Sequence, residues 1–229
     1  MTSSTETPVL GHGGQEVALA AWREVDLGAV SRNVRALAAA CAPAALMVVV
    51  KADACSHGAV PVARTALASG ATHLGVAVLD EAFELRHAGI TAPVLAWLAG
   101  PGAPYGEAVE KDVSLAAYSC AQLEEISVAA ASVHGRAQVH PKVETGMWRN
   151  GAEGEWRDLV ALAVRLEQRG AIEVVGVWSH LACAEEPGSP VNDEQLAHCR
   201  DTQDAPRVSG PRGRRSRLSE SNRRPSHYE

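Results

Sequence analysis

Two of the three lysines in this chain of 229 residues, which holds 18 arginines, fall at the ends of β-branched runs: Lys51 closes LMVVVK, and Lys142 lies in QVHPKV. In parallel α/β proteins the C-terminal ends of strands are where functional groups gather. A lysine desolvated there by apolar neighbours has its amine favoured over its ammonium, and the amine is the form that attacks a carbonyl carbon. Arginine cannot substitute, so a lysine kept at such a place in an arginine-rich chain points to amine chemistry more than to charge alone. The competing reading is a rim ion pair, Lys51 with Asp53 or Lys142 with Glu144. The residues after Lys51 favour chemistry. KADACSHG sets small residues and Gly58 where the backbone stays close to a bound group, while Ser56 and His57 offer hydrogen bonds.

Other chemistries find little support. The nine histidines include no HExxH or comparable ligand spacing, so no metal is expected. Cys41, Cys55, Cys120, Cys183 and Cys199 are odd in number, scattered, and never spaced as CxxC, which suits small core fillers in a reducing compartment. No run approaches the roughly 20 apolar residues of a membrane span, and MTSSTETPVLGHGG lacks the basic-then-apolar order of a signal peptide. The expectation is a cytoplasmic protein without a membrane partner. No GxGxxG or GxxxxGK[ST] follows a strand candidate, which argues against dinucleotide or nucleoside triphosphate binding.

The elements that must position the lysines alternate. Short β-branched runs at 45–50, 74–78, 94–98, 113–117, 138–143 and 174–178 are separated by Ala/Leu-rich stretches of helical period, the pattern of repeated βα units on a parallel sheet. Asp26 is placed to cap a helix to about Ala40. Asp80 is placed to cap 81–88, with Phe83 and Leu85 facing inward and Gly89 ending it; a further helix over 155–168 finishes at Gly170. Aromatics are 4% of the chain, so the core is expected to rest on many small contacts. Six βα units predict an incomplete TIM-type (β/α)8 barrel, because closure takes eight strands and typically about 250 residues. An open doubly wound sheet is the alternative fold.

Composition changes near residue 200. The last thirty positions carry eight of the 21 basic and four of the 27 acidic residues, with almost no apolar periodicity. The expected organisation is an N-terminal extension and strand over 1–21, a partial barrel domain over 22–199, and a disordered arginine-rich tail over 200–229, read as a non-native terminus. An arginine-rich arm of this kind can hold nucleic acid through phosphates. The tail lacks interleaved aromatics or a recognisable RNA-binding module, so no nucleic-acid partner is expected.

Three segments carry a family resemblance in the same order. VVKADACSHG resembles the pyridoxal-phosphate attachment segment of alanine racemases, commonly VVKA(D/N)AYGHG. KVETGMWRNG at 142–151 is similar to the family's KVDTGMGRLG, and WSHLACAEEP at 178–187 to its (F/T)HFA(T/C)ADEP; GVAVLDEAFELRHAGITAPVL follows the family's wording as well. The similarity spans roughly 22–198. It implies a fold type III barrel, pyridoxal 5'-phosphate as cofactor, alanine as substrate and interconversion of its L and D forms for peptidoglycan precursors. Lys51 would link the cofactor covalently and move protons at the substrate α-carbon, with Arg149 as the second catalytic group. His57, Arg149 and His180 would contact the cofactor, and Lys142 is the position carbamylated in some members to orient the arginine.

Departures from the pattern are local. Cys55 and Ser56 replace Tyr-Gly, where the family's tyrosine holds the cofactor phosphate; Trp148 replaces a glycine beside Arg149, with the guanidinium at risk of displacement; Asn150 replaces an apolar residue. The family also has two more strands and a β-rich domain whose tyrosine serves the opposite face across a homodimer. The expectations are therefore a truncated chain, impaired or inactive, with dimerisation in doubt and an N-terminal strand around 18–25 lacking its partner. A non-catalytic pyridoxal-phosphate carrier is the alternative function, and nucleic-acid binding through the tail a second.

Overall fold

The computed structural model describes residues 23–203. Six parallel strands, β1 (Met47–Val49), β2 (His73–Val76), β3 (Val94–Ala96), β4 (Val113–Ala117), β5 (Ala137–Pro141) and β6 (Ile172–Val174), pair in strict chain order. Each step from one strand to the next is crossed by helix, so consecutive right-handed crossovers place every helix on the same face. That order describes an arc of a singly wound barrel. A doubly wound sheet reverses its strand order at a switch point, and among the described residues no reversal occurs, which argues against the alternative fold.

The two faces of the arc have different chemistry because strand side chains alternate. Leu74, Val76, Val94, Ala96, Val113, Leu115, Ala117, Val139 and Ile172 point outward and pack against helical residues such as Ala63, Ala82, Leu85, Leu123, Ile126, Leu159 and Ala163. Many members of this core are alanines, as the composition implied. The concave face carries Leu95, Trp97 and Ala116, packed with Met47, Ala77 and Trp178. Gly75 of β2 is required there: a Cβ would stand 2.7 Å from the Trp97 ring, so only glycine lets the indole lie across the sheet.

Helix boundaries follow local chemistry. In α1 (Leu27–Cys41), Asp26 caps as expected, its Oδ1 accepting from the Ala29 N–H at 3.0 Å. In α4 (Leu79–His87) the cap is Val78, and Asp80 lies inside the first turn. Glu81, at the third position of the helix, reaches back to accept from the Val78 N–H at 3.1 Å, which fixes the start of the helix at Val78 although valine has no side-chain acceptor. Phe83 and Leu85 are buried, and Gly89 follows the helix with φ of 78°. Helix α7 (Trp156–Gln168) ends before Gly170, at φ of 76°.

The last helix, α8 (Pro190–Gln203), moves a boundary. Residues 200–203, assigned to the tail from composition, complete this helix, with Cys199 buried and the Thr202 carbonyl accepting from Trp156 Nε1 at 3.3 Å. The rest of the tail, 204–229, and the N-terminal extension, 1–22, lie outside the described residues; residues 23–26 form no strand. Among the described residues no helix is long and apolar enough to cross a membrane.

Burial of one histidine gives the sheet a pH dependence. His140 of β5 lies on the concave face, and its pKa falls to about 4 because burial disfavours the imidazolium and His73 repels it. Between about 6.5 and about 4 the unfolded chain therefore binds the proton more readily, so stability is complete above this window and declines as pH falls through it. The gap corresponds to about 3 kcal/mol. Urea unfolding of the chain near pH 7.5 and near pH 4.5 is expected to differ by about 2 kcal/mol more than the same comparison on His140→Gln. Equal pH dependence in the two proteins would contradict this assignment.

Candidate functional site

The residues singled out by the sequence all lie beyond the C-terminal ends of strands, in two groups. Lys51 and His57 follow β1; Lys142, Glu144 and Arg149 follow β5; His180 lies beyond β6 in the segment after Trp178, which bridges to Lys142. Trp97, at the exit of β3, packs on the concave face against the second group. Its ring centroid lies 5.9 Å from that of Trp178 and 6.4 Å from that of His180, while Trp178 and His180 are 4.9 Å apart.

Lys51 is exposed, and so is His57, whose Nδ1 lies 2.8 Å from the Ala54 carbonyl and closes the turn. The expectation that apolar neighbours desolvate Lys51 is corrected here. Strand β1 is an edge of the described sheet, and its concave side stands open, with Val49 51% exposed. The two ion pairs that competed with a chemical role are also absent among the described residues. Asp53 Oδ1 instead accepts from the Ala59 N–H at 2.6 Å, and Glu144 Oε1 from the Gly146 and Met147 N–H groups at 2.6 and 2.7 Å.

Lys142 is the lysine that burial affects. It is 3% exposed, stands 4.9 Å over the Trp178 ring, and donates from Nζ to the Arg149 carbonyl. Desolvation first, then the Arg149 charge, pull its pKa down to about 8, against an opposing pull from Glu144. His180 falls to about 4 through burial, followed by repulsion from Lys142 and Arg149, so its ring is neutral near pH 7. For Glu144, burial pushes upward, but backbone N–H bonds from Trp148, Gly146, Met147 and Thr145 outweigh it and hold the carboxyl below its ordinary value.

Arg149 is exposed and belongs electrostatically to the second group. The anticipated intrusion of Trp148 does not occur within the site, because its indole turns outward and is 74% exposed. The cost appears in the backbone. Trp148 adopts φ of 58° and Asn150 φ of 50°, so the tryptophan occupies a left-handed position that glycine fills without a Cβ penalty.

Several positioning groups carried no sequence signal. Gln195 of α8, 2% exposed, donates to Thr145 Oγ1 at 3.1 Å and to the His180 carbonyl at 2.9 Å, and accepts from the Ala182 N–H at 2.7 Å. It binds the β5 exit to the segment that carries His180. Two polar atoms of the site, His180 Nδ1 and Trp178 Nε1, are buried without partners among the described residues. Buried polar groups are almost always satisfied, so these two mark a place for a polar ligand. The cavity of about 220 Å³ beside Glu144, Trp156 and His198 lies elsewhere and includes none of Lys51, Arg149 or His180.

Comparison with known proteins follows the same outline. The family described as alanine racemase, N-terminal domain, matches residues 25–223. The alanine racemase of Frankia casuarinae is 47% identical over 187 residues, covering 81% of this chain and 49% of that protein; that of Salinispora tropica is 51% identical over 175 residues, covering 76% and 46%. The crystal structure of alanine racemase from D-cycloserine-producing Streptomyces lavendulae superposes with a TM-score of 0.76 at 45% identity, over 78% of this chain and 47% of that one. The chain thus spans about half the length of the relatives it matches. With the family matched over most of its length and its barrel arc superposed on a solved member, the chain belongs to the alanine racemase N-terminal domain family.

Proposed function

We propose that this chain is the lysine-bearing barrel portion of a pyridoxal-phosphate-dependent alanine racemase, interconverting L-alanine and D-alanine for cell-wall precursors in the cytoplasm. The observation that supports the reading is that Lys51, exposed and without an ion pair among the described residues, and the Lys142–Arg149–His180 group both follow the C-terminal ends of strands of one parallel sheet, the end at which functional groups gather in such folds. The orphaned Nδ1 of His180 and Nε1 of Trp178 fit a planar cofactor with polar edges.

Pyridoxal phosphate, when bound, supplies an electron-withdrawing ring that stabilises the carbanion left by α-proton loss. The residues of this chain supply position and protons. Lys51 would hold the cofactor through its amine, and its Nζ would move a proton on one face of the substrate. His180 presents a neutral ring. Arg149 is a fixed cation for negative charge near the cofactor and substrate, and His57 is a further contact at the cofactor's edge. Lys142, with a pKa of about 8, keeps an appreciable neutral fraction near that pH. Its free amine can add carbon dioxide and release a proton to form a carbamate, an anion able to orient the nearby Arg149.

Residues 23–203 form the arc of the barrel domain, and relatives of twice the length leave room for a partner surface on a homodimer. Cys55, exposed at the position of the family's phosphate-binding tyrosine, is too short for that role. The test is α-proton exchange in heavy water, with pyridoxal phosphate and each alanine enantiomer. Exchange of one enantiomer well ahead of the other is expected, since one amine serves one face. Cofactor attachment with no exchange of either enantiomer would overturn the racemase reading in favour of a cofactor carrier.

A further inference from the structure

The residue that follows Lys51 is held by a carboxylate 29 positions away. Glu81, in the first turn of α4, places Oε1 2.6 Å from the Ala52 N–H, while Oε2 accepts from Ala77 N–H at 2.8 Å and Val78 N–H at 3.1 Å. Capping α4 requires only the Val78 bond. The other two reach outside the helix, to the exits of β2 and β1, so one side chain joins the ends of two strands.

What lies beyond Ala52 explains why such a tie is needed. The six-residue turn α2 (Lys51–Ser56) is left-handed: Ala52, Asp53, Ala54, Cys55 and Ser56 have φ of 52°, 52°, 51°, 54° and 65°. None is glycine, and each such residue costs about 1–2 kcal/mol relative to a right-handed turn. The turn therefore persists only because its surroundings hold it. At its far end Asp53 Oδ1 takes the Ala59 N–H, and the Gly58 N–H bonds to the Asp53 carbonyl at 3.0 Å. At its near end the Val50 N–H pairs with the Gly75 carbonyl at 2.8 Å, and the next restrained donor is Ala52, on Glu81. Lys51 lies between those two fixed points.

We propose that Glu81 is a positioning residue for Lys51: its carboxylate ties the first left-handed residue to the exit of β2 and so sets the direction in which the Lys51 side chain leaves β1. The proposal rests on the reading of Lys51 as the cofactor-linking lysine. Capping alone would leave Lys51 indifferent to Glu81, whereas the tie makes its reactivity depend on that carboxylate.

The test uses the full chain, with Glu81→Ala and Glu81→Gln. Each protein is incubated with pyridoxal phosphate and reduced with borohydride; the ratio of label on Lys51 to label on Lys111 is read by peptide mass, and amide hydrogen exchange is followed at Ala52 and Val78. In Glu81→Ala the ratio is expected to fall about tenfold or more, as misplacement of a reacting group costs, with the Ala52 amide deprotected. Glu81→Gln keeps one acceptor oxygen, and an intermediate ratio is expected. A folded Glu81→Ala with an unchanged ratio would overturn the proposal and leave a helix cap. Where a variant does not fold, the unsubstituted chain decides: an Ala52 amide exchanging at the random-coil rate beside a protected Val78 overturns it, and slow exchange at both supports it. An unsubstituted chain labelled at Lys111 but not at Lys51 overturns the cofactor reading itself, which separates the two failures.

Discussion

Arg86→Met is expected to destabilise the domain by about 4 kcal/mol, a large share of the 5–15 kcal/mol typical of a whole domain. The side chain donates from Nε to the Lys111 carbonyl at 2.8 Å, from Nη1 to Ile90 at 2.8 Å and Ala92 at 2.9 Å, and from Nη2 to Asp112 at 2.8 Å. All four acceptors are backbone carbonyls in the loops entering β3 and β4, so one guanidinium fastens the N-terminal ends of two central strands. A charge-assisted bond contributes roughly 1.5–3 kcal/mol, and four sharing one donor group add less than their sum. Burial pulls the Arg86 pKa down, opposed by Asp112, a sign that the guanidinium is partly withdrawn from water and leans on these carbonyls for solvation. Methionine fills the stem and leaves the carbonyls unpaired. Arg86→Lys, with no planar fork, is expected to recover less than half of the loss. Urea midpoints and a fall in Tm on the order of 10 °C would be the readout; a loss below about 1 kcal/mol would contradict the assignment.

Lys51→Arg is expected to lower cofactor-dependent α-proton exchange of alanine by about 100-fold or more while leaving Tm within a degree or two. The substitution preserves charge and approximate reach, and Lys51 is exposed without an ion pair among the described residues, so the fold has little to lose. Only the capacity to become a free amine disappears, because a guanidinium stays protonated. A variant that keeps the exchange rate would show that the position contributes charge and not amine chemistry. The contrast with Lys142 sharpens the expectation. Burial pulls its pKa down to about 8, yet it is 3% exposed and engaged with the Arg149 carbonyl and the Trp178 ring. Accessibility distinguishes the two lysines.

Much of the arc was legible because its signals are local. The run at 113–117 is β4 as expected, and Gly89 and Gly170 end their helices at positive φ. The run at 174–178 was misplaced, since β6 pairs over Ile172–Val174 and rejoins the sheet only at the Trp178–Lys142 bridge. There β-branched composition describes a segment that leaves the ladder, and periodicity alone does not tell the two apart. The start of α4 was shifted because Glu81, three residues inside the helix, takes the Val78 N–H and fixes the boundary there with Asp80 in the first turn.

The rim lysines and the histidines were found through strand ends and motif wording, whereas the residues that orient them were not. Gln195 and Glu81 act through bonds to backbone groups 15 and 29 positions away. Nothing in their immediate sequence marks such a contact. Trp97 was equally hidden, although a tryptophan at a strand exit opposite the small Gly75 is the pattern that places a ring across a sheet. Desolvation, expected of a lysine at a strand end, holds for Lys142 and not for Lys51. Apolar neighbours in sequence do not bury a side chain on an edge strand, while β5, with strands on both sides and Trp178 across it, does bury Lys142.

The most direct measurement is the map of a reduced adduct: incubate the full chain with pyridoxal phosphate, reduce with borohydride, digest, and locate the added mass among Lys51, Lys111 and Lys142. Modification concentrated on Lys51 is the predicted result. Modification at Lys142 or Lys111 in its place, or spread evenly over the three, would contradict the assignment of Lys51 as the amine that holds the cofactor.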